Sequence, residues 1–331
     1  MLYMPIVSHQ LPFTLIQIIN IIHSHRATAY SHHNRRNNHP PPSQTTLFLT
    51  YINQKMMCKM ALAPLLQTPT CSLIKFRKAK VVVVMGATGA GKSRLTMDLA
   101  AQYPAEIINS DKMKVYEGLD ILTNKITKEE RDGMPHHLLG VVDPETDFTA
   151  ENFVLEASLA LKSVVGRKKL PIISGGSNSF IEALVEDREF RSSYETCFLW
   201  VDVELSVLYQ VLADRIDRKV VNGMVDEVRE FYNPKADYSK GIRRAIGVQE
   251  LDSYFRAIDS SYTDEKTLDM LLDSAIHEMK INTCKLARRQ VEKIHQLINV
   301  KGWQINRLDA TKVYKKNHSE DADGNKISIE F

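Results

Sequence analysis

The sequence predicts an α/β protein, with a parallel sheet flanked by helices and a mainly helical C-terminal addition. Three observations carry the prediction. A glycine-rich turn, "MGATGAGKS", directly follows an apolar β-branched run and precedes a helical pattern. Further apolar runs of strand length recur before residue 203, separated by helical and loop segments. From Glu204 onward the character becomes mainly helical.

The run Val81–Met85 is apolar throughout, as suits a strand buried on both faces of a parallel sheet. Gly86, Gly91, Lys92 and Ser93 then fit G-x-x-x-x-G-K-[ST], and Arg94–Ala101 reads as the helix that follows. In such a P-loop, backbone N–H groups curl around an oxyanion and the helix N-terminus favours negative charge. Lys92 adds a full positive charge, and the Ser93 hydroxyl suits a Mg²⁺ ligand. The turn alone does not say which phosphorylated molecule it holds.

Ala105–Asp111 reads as a second strand, Lys169–Ser174 as a third and Thr196–Asp202 as a fourth, with a helix over Ala150–Val165. Right-handed crossovers would bring the carboxyl ends of these strands to one rim. Gly86–Ser93, Ser110–Asp111, Gly175–Ser177 and Asp202 are expected there together. Asp264–Ile298 reads as a long helix, and Asn233–Gly247 as a loop with a basic cluster. The expected organisation is a P-loop NTPase-like core over 76–203, a helical part over 204–317 packed on it, an arm over 1–75 and a flexible tail over 318–331.

A kinase or ATPase of this type needs a strand-end acid to organise Mg²⁺. Two strands end that way, at Asp111 and Asp202. Asp202 directly precedes a helix, where Asp commonly caps. Asp111 stands in the polar cluster "NSDKMKVYEGLD" beside the cradle and reads as a general base, the alternative being a structural ion pair with a neighbouring lysine.

Composition narrows the class. The four cysteines, Cys58, Cys71, Cys197 and Cys284, contain no C-x-x-C pair, which argues against a zinc ribbon or disulfide framework. The first acid in the chain is Asp98, and residues 1–80 carry nine Lys and Arg, so the remainder bears about −6. A body of that charge is poorly suited to a long nucleic-acid backbone. The arm, rich in His, Asn, Ser and Pro, is expected to be disordered and has the acid-free composition of an organelle transit peptide. Its apolar run Leu11–Ile22 is too short to span a bilayer, so no membrane partner is expected. Translation from Met56, Met57 or Met60 would instead give a cytoplasmic product.

The body resembles the plant adenylate isopentenyltransferases, the cytokinin synthases, which are relatives of the tRNA dimethylallyltransferases. The resemblance runs from about Lys80 to Asn317 through ordered blocks, including "VVVVMGATGAGKSRL", "EIINSDKMKVYEGLDILTNK", "PIISGGSNSFIEAL", "DRIDRKVVNGMVDEV" and "GIRRAIGVQEL". It implies that the cradle holds the diphosphate of dimethylallyl diphosphate and that the adenine N6 of ADP or ATP, or of AMP, is the acceptor. This is the first step of cytokinin synthesis, with Mg²⁺ as cofactor. Diphosphate contacts are then expected from Thr88, Gly89, Ala90, Gly91, Lys92, Ser93, Ser177 and Arg215. Lys92, Arg215 and Asp111 would be catalytic, with Asp111 taking the N6 proton.

Asn109, Ser110 and Asp111 are expected on the acceptor side, with Lys125, Lys240, Arg243 and Arg244 reading the nucleotide phosphates; the alternative for these cations is a solvated basic loop. Lys219 stands where relatives usually place Met, which puts helix packing there in doubt. No zinc-finger extension of the kind in eukaryotic tRNA enzymes is visible, which favours a free nucleotide over tRNA. A tRNA dimethylallyltransferase and a P-loop kinase or ATPase using Asp202 remain the rival readings. The sequence does not specify an oligomeric state, and the composition of the arm points to a plastid or a mitochondrion, the plastid being the first expectation.

Overall fold

Strand β1 (Ala79–Gly86) is the middle of the molecule because both of its faces are apolar. Val81, Val83 and Met85 pack into one core layer, and Val82 and Val84 into the other. The same alternation divides Ile107 from Ile108, Ile172 from Ile173 and Leu199 from Trp200. A sheet that buries alternate residues on both sides must carry helices on both, which parallel crossovers provide. The structure, a computed structural model, describes residues 78–260 and 263–320, the last five by backbone alone. The N-terminal arm with its apolar run and alternative starts, and the tail beyond 320, lie outside the described residues.

In chain order, β1 is followed by α1 (Lys92–Gln102), β2 (Ala105–Asn109), the short α2 (Asp120–Thr123) and α3 (Lys128–Arg131), and β3 (His136–His137). Then come α4 (Ala150–Gly166), β4 (Leu170–Ser174), α5 (Asn178–Glu186), α6 (Arg188–Ser193) and β5 (Tyr194–Asp202). The helical part comprises α7 (Leu205–Val221), α8 (Met224–Phe231), a 3₁₀ turn (Gly241–Arg244), α9 (Asp252–Asp259) and α10 (Glu265–Asn299). The described chain closes with β6 (Ile305–Asp309) and α11 (Thr311–Glu320). All six strands are parallel, in the order β3-β2-β4-β1-β5-β6. The crossover from β1 to β2 therefore leaves a place that β4 fills, and the carboxyl ends of β1, β2 and β4 open on one crevice.

The sheet's far flank is tied by a buried charge. Glu106 on β2 accepts from Arg167 (Nε 3.0 Å, Nη2 2.6 Å), faces His137 Nε2 at 2.7 Å and pairs with Lys169 Nζ at 3.1 Å. The Arg167 hydrogen bonds above all, joined by those of His137 and Lys169, hold its carboxyl at about 2 against the opposing cost of burial.

Helix α10 spans 35 residues, about 52 Å at the α-helical rise. Its start is capped by Asp264, which accepts from Thr267 N at 3.0 Å. Ala275 and Met279 pack in one core layer, Cys284 and Ala287 in the other, and Ile294 and Leu297 return to the first. One helix thus joins the sheet core to the helical part.

Two features differ from the sequence-based expectation. The segment after α10 returns to the sheet: β6 pairs with β5 from Phe198–Ile305 to Asp202–Asp309, so 305–320 belongs with the core and not with the closing helices. "INRLD" is an edge strand with only Leu308 buried, too short and polar to announce itself. Asp202 is also not a helix cap, since α7 is preceded by Glu204 at that position. Its carboxylate instead accepts from Arg307 Nε at 2.6 Å, and its carbonyl accepts from Ala310 N at 2.8 Å.

Candidate active site

The crevice at the strand ends is a cleft of about 660 Å³, and the glycine-rich turn forms one wall. Gly86 is required there, because a Cβ would lie 2.4 Å from Val201 O. Gly91, with φ of 91°, turns the chain into α1 without a side-chain cap. The first N–H groups of α1 therefore face the cleft uncapped, as an anion site requires. Ala90 lies in the turn, buried, with its N–H donating to Ala87 O at 3.2 Å. Lys92 Nζ folds back to donate to Ala87 O at 2.7 Å. Burial lowers the Lys92 ammonium to about 7, opposed by Asp111 and reinforced by Lys114 and Arg215.

Arg215 arrives from α7 and donates from Nη2 to Thr88 Oγ1 at 2.9 Å, while its buried Nε has no partner. Burial pushes its guanidinium below its usual range, with Asp111 opposing. An orphaned donor on a buried cation beside an oxyanion cradle is costly unless an anion joins it. Lys114 also lines the cleft, and burial lowers its ammonium.

The second wall is the end of β2. Asn109 fixes the turn, its side chain accepting from Asp111 N at 3.0 Å and donating to Leu138 O at 2.8 Å and Asp111 O at 3.1 Å. Asp111 Oδ1 accepts from Met113 N at 3.1 Å, and Oδ2 lies beside Gly176. Gly175 must be glycine, because a Cβ would lie 2.3 Å from Ser110 C. Ser110 is fully buried behind this contact and does not line the cleft. Ser177 lines the cleft and accepts from Lys112 N at 2.8 Å.

Two residues that sequence reasoning missed bind these walls together. Gln290 on α10 accepts from Thr88 N through Oε1 at 2.7 Å and donates through Nε2 to Gly176 O at 2.9 Å. Its carbonyl accepts from Asn178 Nδ2 at 2.9 Å. Tyr314 on α11 donates to Gly89 O at 2.9 Å. Neither carries a local signal, since a glutamine inside a charged helix and a tyrosine in a polar tail gain meaning only from what they meet.

The expected phosphate readers divide. Arg244 lines the cleft, paired to Asp147 at 2.9 Å and donating to Tyr116 Oη at 3.3 Å. Arg243 is turned inward, bound to Glu145 through Nε (3.2 Å) and Nη2 (2.7 Å) and stacked over the Phe231 ring at 4.4 Å. Lys240 sits outside the cleft, 3.6 Å from Asp237. Lys125 is buried against Asp120 (2.7 Å) and Gly118 O, behind the lining. Arg243 and Lys125 are held by internal partners, Lys240 is an exposed surface cation, and none of the three lines the cleft. Lys219, suspected of disturbing helix packing, instead lines the cleft and donates to Leu122 O at 2.6 Å. Burial lowers its ammonium to about 7, with Arg215 and Lys114 adding to the shift.

The donor set suits a hard cation shared with a ligand. Ser93 presents an exposed hydroxyl on the first turn of α1, and no group of three or more His, Cys, Asp or Glu capable of holding a metal occurs among the described residues. Magnesium prefers such a partial oxygen site, completed by phosphate oxygens and water.

The chain is similar to known proteins over most of its length. The family model described as IPP transferase matches residues 114–193 and 186–296. Adenylate isopentenyltransferase 3, chloroplastic, of Arabidopsis thaliana is 54% identical over 246 residues, covering 73% of each chain. Adenylate isopentenyltransferase 5, chloroplastic, of the same plant is 55% identical over 250 residues, covering 75% of each. Among solved structures, a eukaryotic dimethylallyltransferase acting on tRNA superposes with a TM-score of 0.61 at 25% identity, covering 74% of this chain and 78% of that one.

Proposed function

The chain belongs to the IPP transferase family, and on that footing we propose that it moves the dimethylallyl group of dimethylallyl diphosphate onto N6 of the adenine in ADP or ATP. It is a prenyl-group transferase of the adenylate isopentenyltransferase type, acting in cytokinin synthesis. One observation carries the assignment of roles: an uncapped phosphate cradle with unpaired cations and a rim carboxylate, Asp111, open on the same cleft.

The diphosphate lies in the cradle against the amides of Gly89–Ser93, with Thr88, Lys92, Ser177 and Arg215 around it. The adenine lies toward Asp111. As N6 bonds to C1 of the prenyl group, the C1–O bond breaks and its electron pair leaves with the diphosphate. Negative charge thus grows beside the cradle amides, Lys92 and Arg215, whose donors then turn from their internal acceptors to the diphosphate. The N6 lone pair is delocalised into the ring; Asp111 accepts a hydrogen bond from the amine and then its proton, assistance that typically contributes ~10²–10⁴-fold. Magnesium held through Ser93 and the diphosphate would neutralise leaving-group charge. Leu122, Ile126 and Leu286 line the cleft and exclude water from the reacting carbon.

Arg244, with Lys112 beside it, replaces Lys125, Lys240 and Arg243 as reader of the acceptor phosphates. Asp202, which a kinase would need for its metal, is occupied by Arg307. The chloroplastic names of the relatives support delivery to a plastid. No helix among the described residues is long and apolar enough to cross a membrane.

The test offers dimethylallyl diphosphate and Mg²⁺ with AMP, ADP, ATP or unmodified tRNA, and seeks N6-prenylated adenine by mass spectrometry. Product from ADP or ATP that disappears in Asp111→Ala is expected. Product from tRNA alone would move the assignment to RNA modification, and ATP hydrolysis without prenyl product would overturn it.

A further inference from the structure

We propose that Tyr314, on α11, is a contact for the leaving diphosphate, its hydroxyl passing from Gly89 O to a diphosphate oxygen when the donor fills the cradle. The inference rests on the prenyl-transfer reading and adds a residue beyond those that match the family.

The placement of Tyr314 is built, not incidental. β6 lies against β5, and Thr311 opens α11 with its N–H on Asp309 Oδ1 at 3.0 Å. Thr311 Oγ1 accepts from Glu204 N at 3.0 Å, and Lys315 pairs with Glu204 at 2.7 Å. These contacts dock α11 at the start of α7, the helix that carries Arg215. The Tyr314 ring packs on the core layer that includes Ala90 and Leu212. Its hydroxyl then stands at the cradle mouth, 2.9 Å from Gly89 O and 2.9 Å from where a Cβ on Gly91 would lie. That point overlooks the uncapped first turn of α1, and Tyr314 lines the same cleft as Lys92, Ser93 and Arg215.

The chemistry favours a change of partner. A phenol has one proton to donate, and a hydrogen bond to an ionised oxygen is roughly twice as strong as one to a neutral carbonyl. Burial raises the Tyr314 hydroxyl above its ordinary range despite the nearby Arg215 charge, so it keeps its proton to give. Because diphosphate gains charge as C1–O breaks, the bond strengthens along the reaction and acts on the chemical step as well as on binding.

The experiment compares the full-length wild type with Tyr314→Phe, which keeps the ring and removes only the hydroxyl. Magnesium pyrophosphate binding is read by calorimetry, and prenyl transfer by single turnover at saturating donor. Pyrophosphate affinity and the single-turnover rate are each expected to fall about tenfold, equivalent to ~1.4 kcal/mol, with the nucleotide KM unchanged. Unaltered pyrophosphate affinity would overturn the proposal and leave the hydroxyl as a brace for Gly89. If the variant does not fold, 3-fluorotyrosine placed at 314 in the wild-type chain reports instead. A ¹⁹F resonance that moves on adding pyrophosphate supports the contact, and one that stays still removes it. Failure of the wild type to make any prenylated product would refute the functional reading itself, whereas a productive wild type matched by Tyr314→Phe refutes only the role of Tyr314.

Discussion

The two groups of cations in this molecule are opposites. Lys240, Arg243 and Arg244 sit together in sequence, and each faces its own carboxylate: Asp237, Glu145 and Asp147. Lys92, Lys114, Arg215 and Lys219 come from three separate segments, meet in one cleft and form no ion pair among the described residues, with Asp111 the acid whose charge acts on all four. Density of charge along the chain is therefore a poor guide to which cations reach the cleft, since of the loop group Arg244 alone lines it. In the cleft, folding leaves charge without a counter-charge in contact, and the protein has accepted the cost of desolvating it.

The sharpest way to break this contrast is to remove one cation from each group. Arg215→Ala is expected to slow prenyl transfer by about 10²–10³-fold, the range for a lost transition-state donor, and Asp111→Asn by ~10²–10⁴ with donor binding preserved. Both are read by single turnover and by donor titration. Arg243→Ala should do the reverse, lowering Tm by several degrees while leaving the ATP KM within twofold. A raised ATP KM in that variant would restore Arg243 as a phosphate reader beside Arg244.

A charge that is paired and buried, Glu106, sharpens the comparison from the stability side. Glu106→Gln should cost about 2–3 kcal/mol at neutral pH, at the lower end for breaking a buried pair because its partners can resolvate. Its folded carboxyl lies at about 2, below the ordinary value of 4.5, so its contribution is complete above about 4.5 and is lost as the pH falls toward 2. Denaturant titrations of the two proteins should converge across that interval.

Lys219→Met gives the smallest effect and the opposite sign. A folded ammonium lowered to about 7 means that the unfolded chain holds more protons between about 7 and 10.5. Wild-type stability should therefore gain from this group as pH rises through that interval, and be penalised below it. The methionine variant should flatten that slope and raise Tm at pH 7 by roughly 2–3 °C.

The sheet and its loops were legible because they are local: β1, the glycine turn and α1 occupy one continuous stretch, and Asp111 follows a buried strand directly. Arg215 was found only through family resemblance, since a basic residue in "DRIDRK" has the look of any solvated helix face. Lys125 and Arg243 stand outside the cleft lining for a different reason. The partners of Arg243 and Arg244 lie about a hundred residues earlier, and Lys125 turns inward to Asp120 only because α2 folds back. Strand β6, Gln290 and Tyr314 depend on tertiary return of the chain, which no window of sequence displays.

Gln290 places one amide between the two half-sites, with one end on the cradle and the other on the loop behind Asp111. Because that amide is carried by α10, the gap between leaving group and acceptor is gauged by a helical ruler whose other end lies in a different part of the molecule. Inserting one residue upstream of 290 would turn that side chain by about 100° and release both loops together. The exposed positions of this helix carry no such constraint, but its phase between the two core layers is tied to both loops at once.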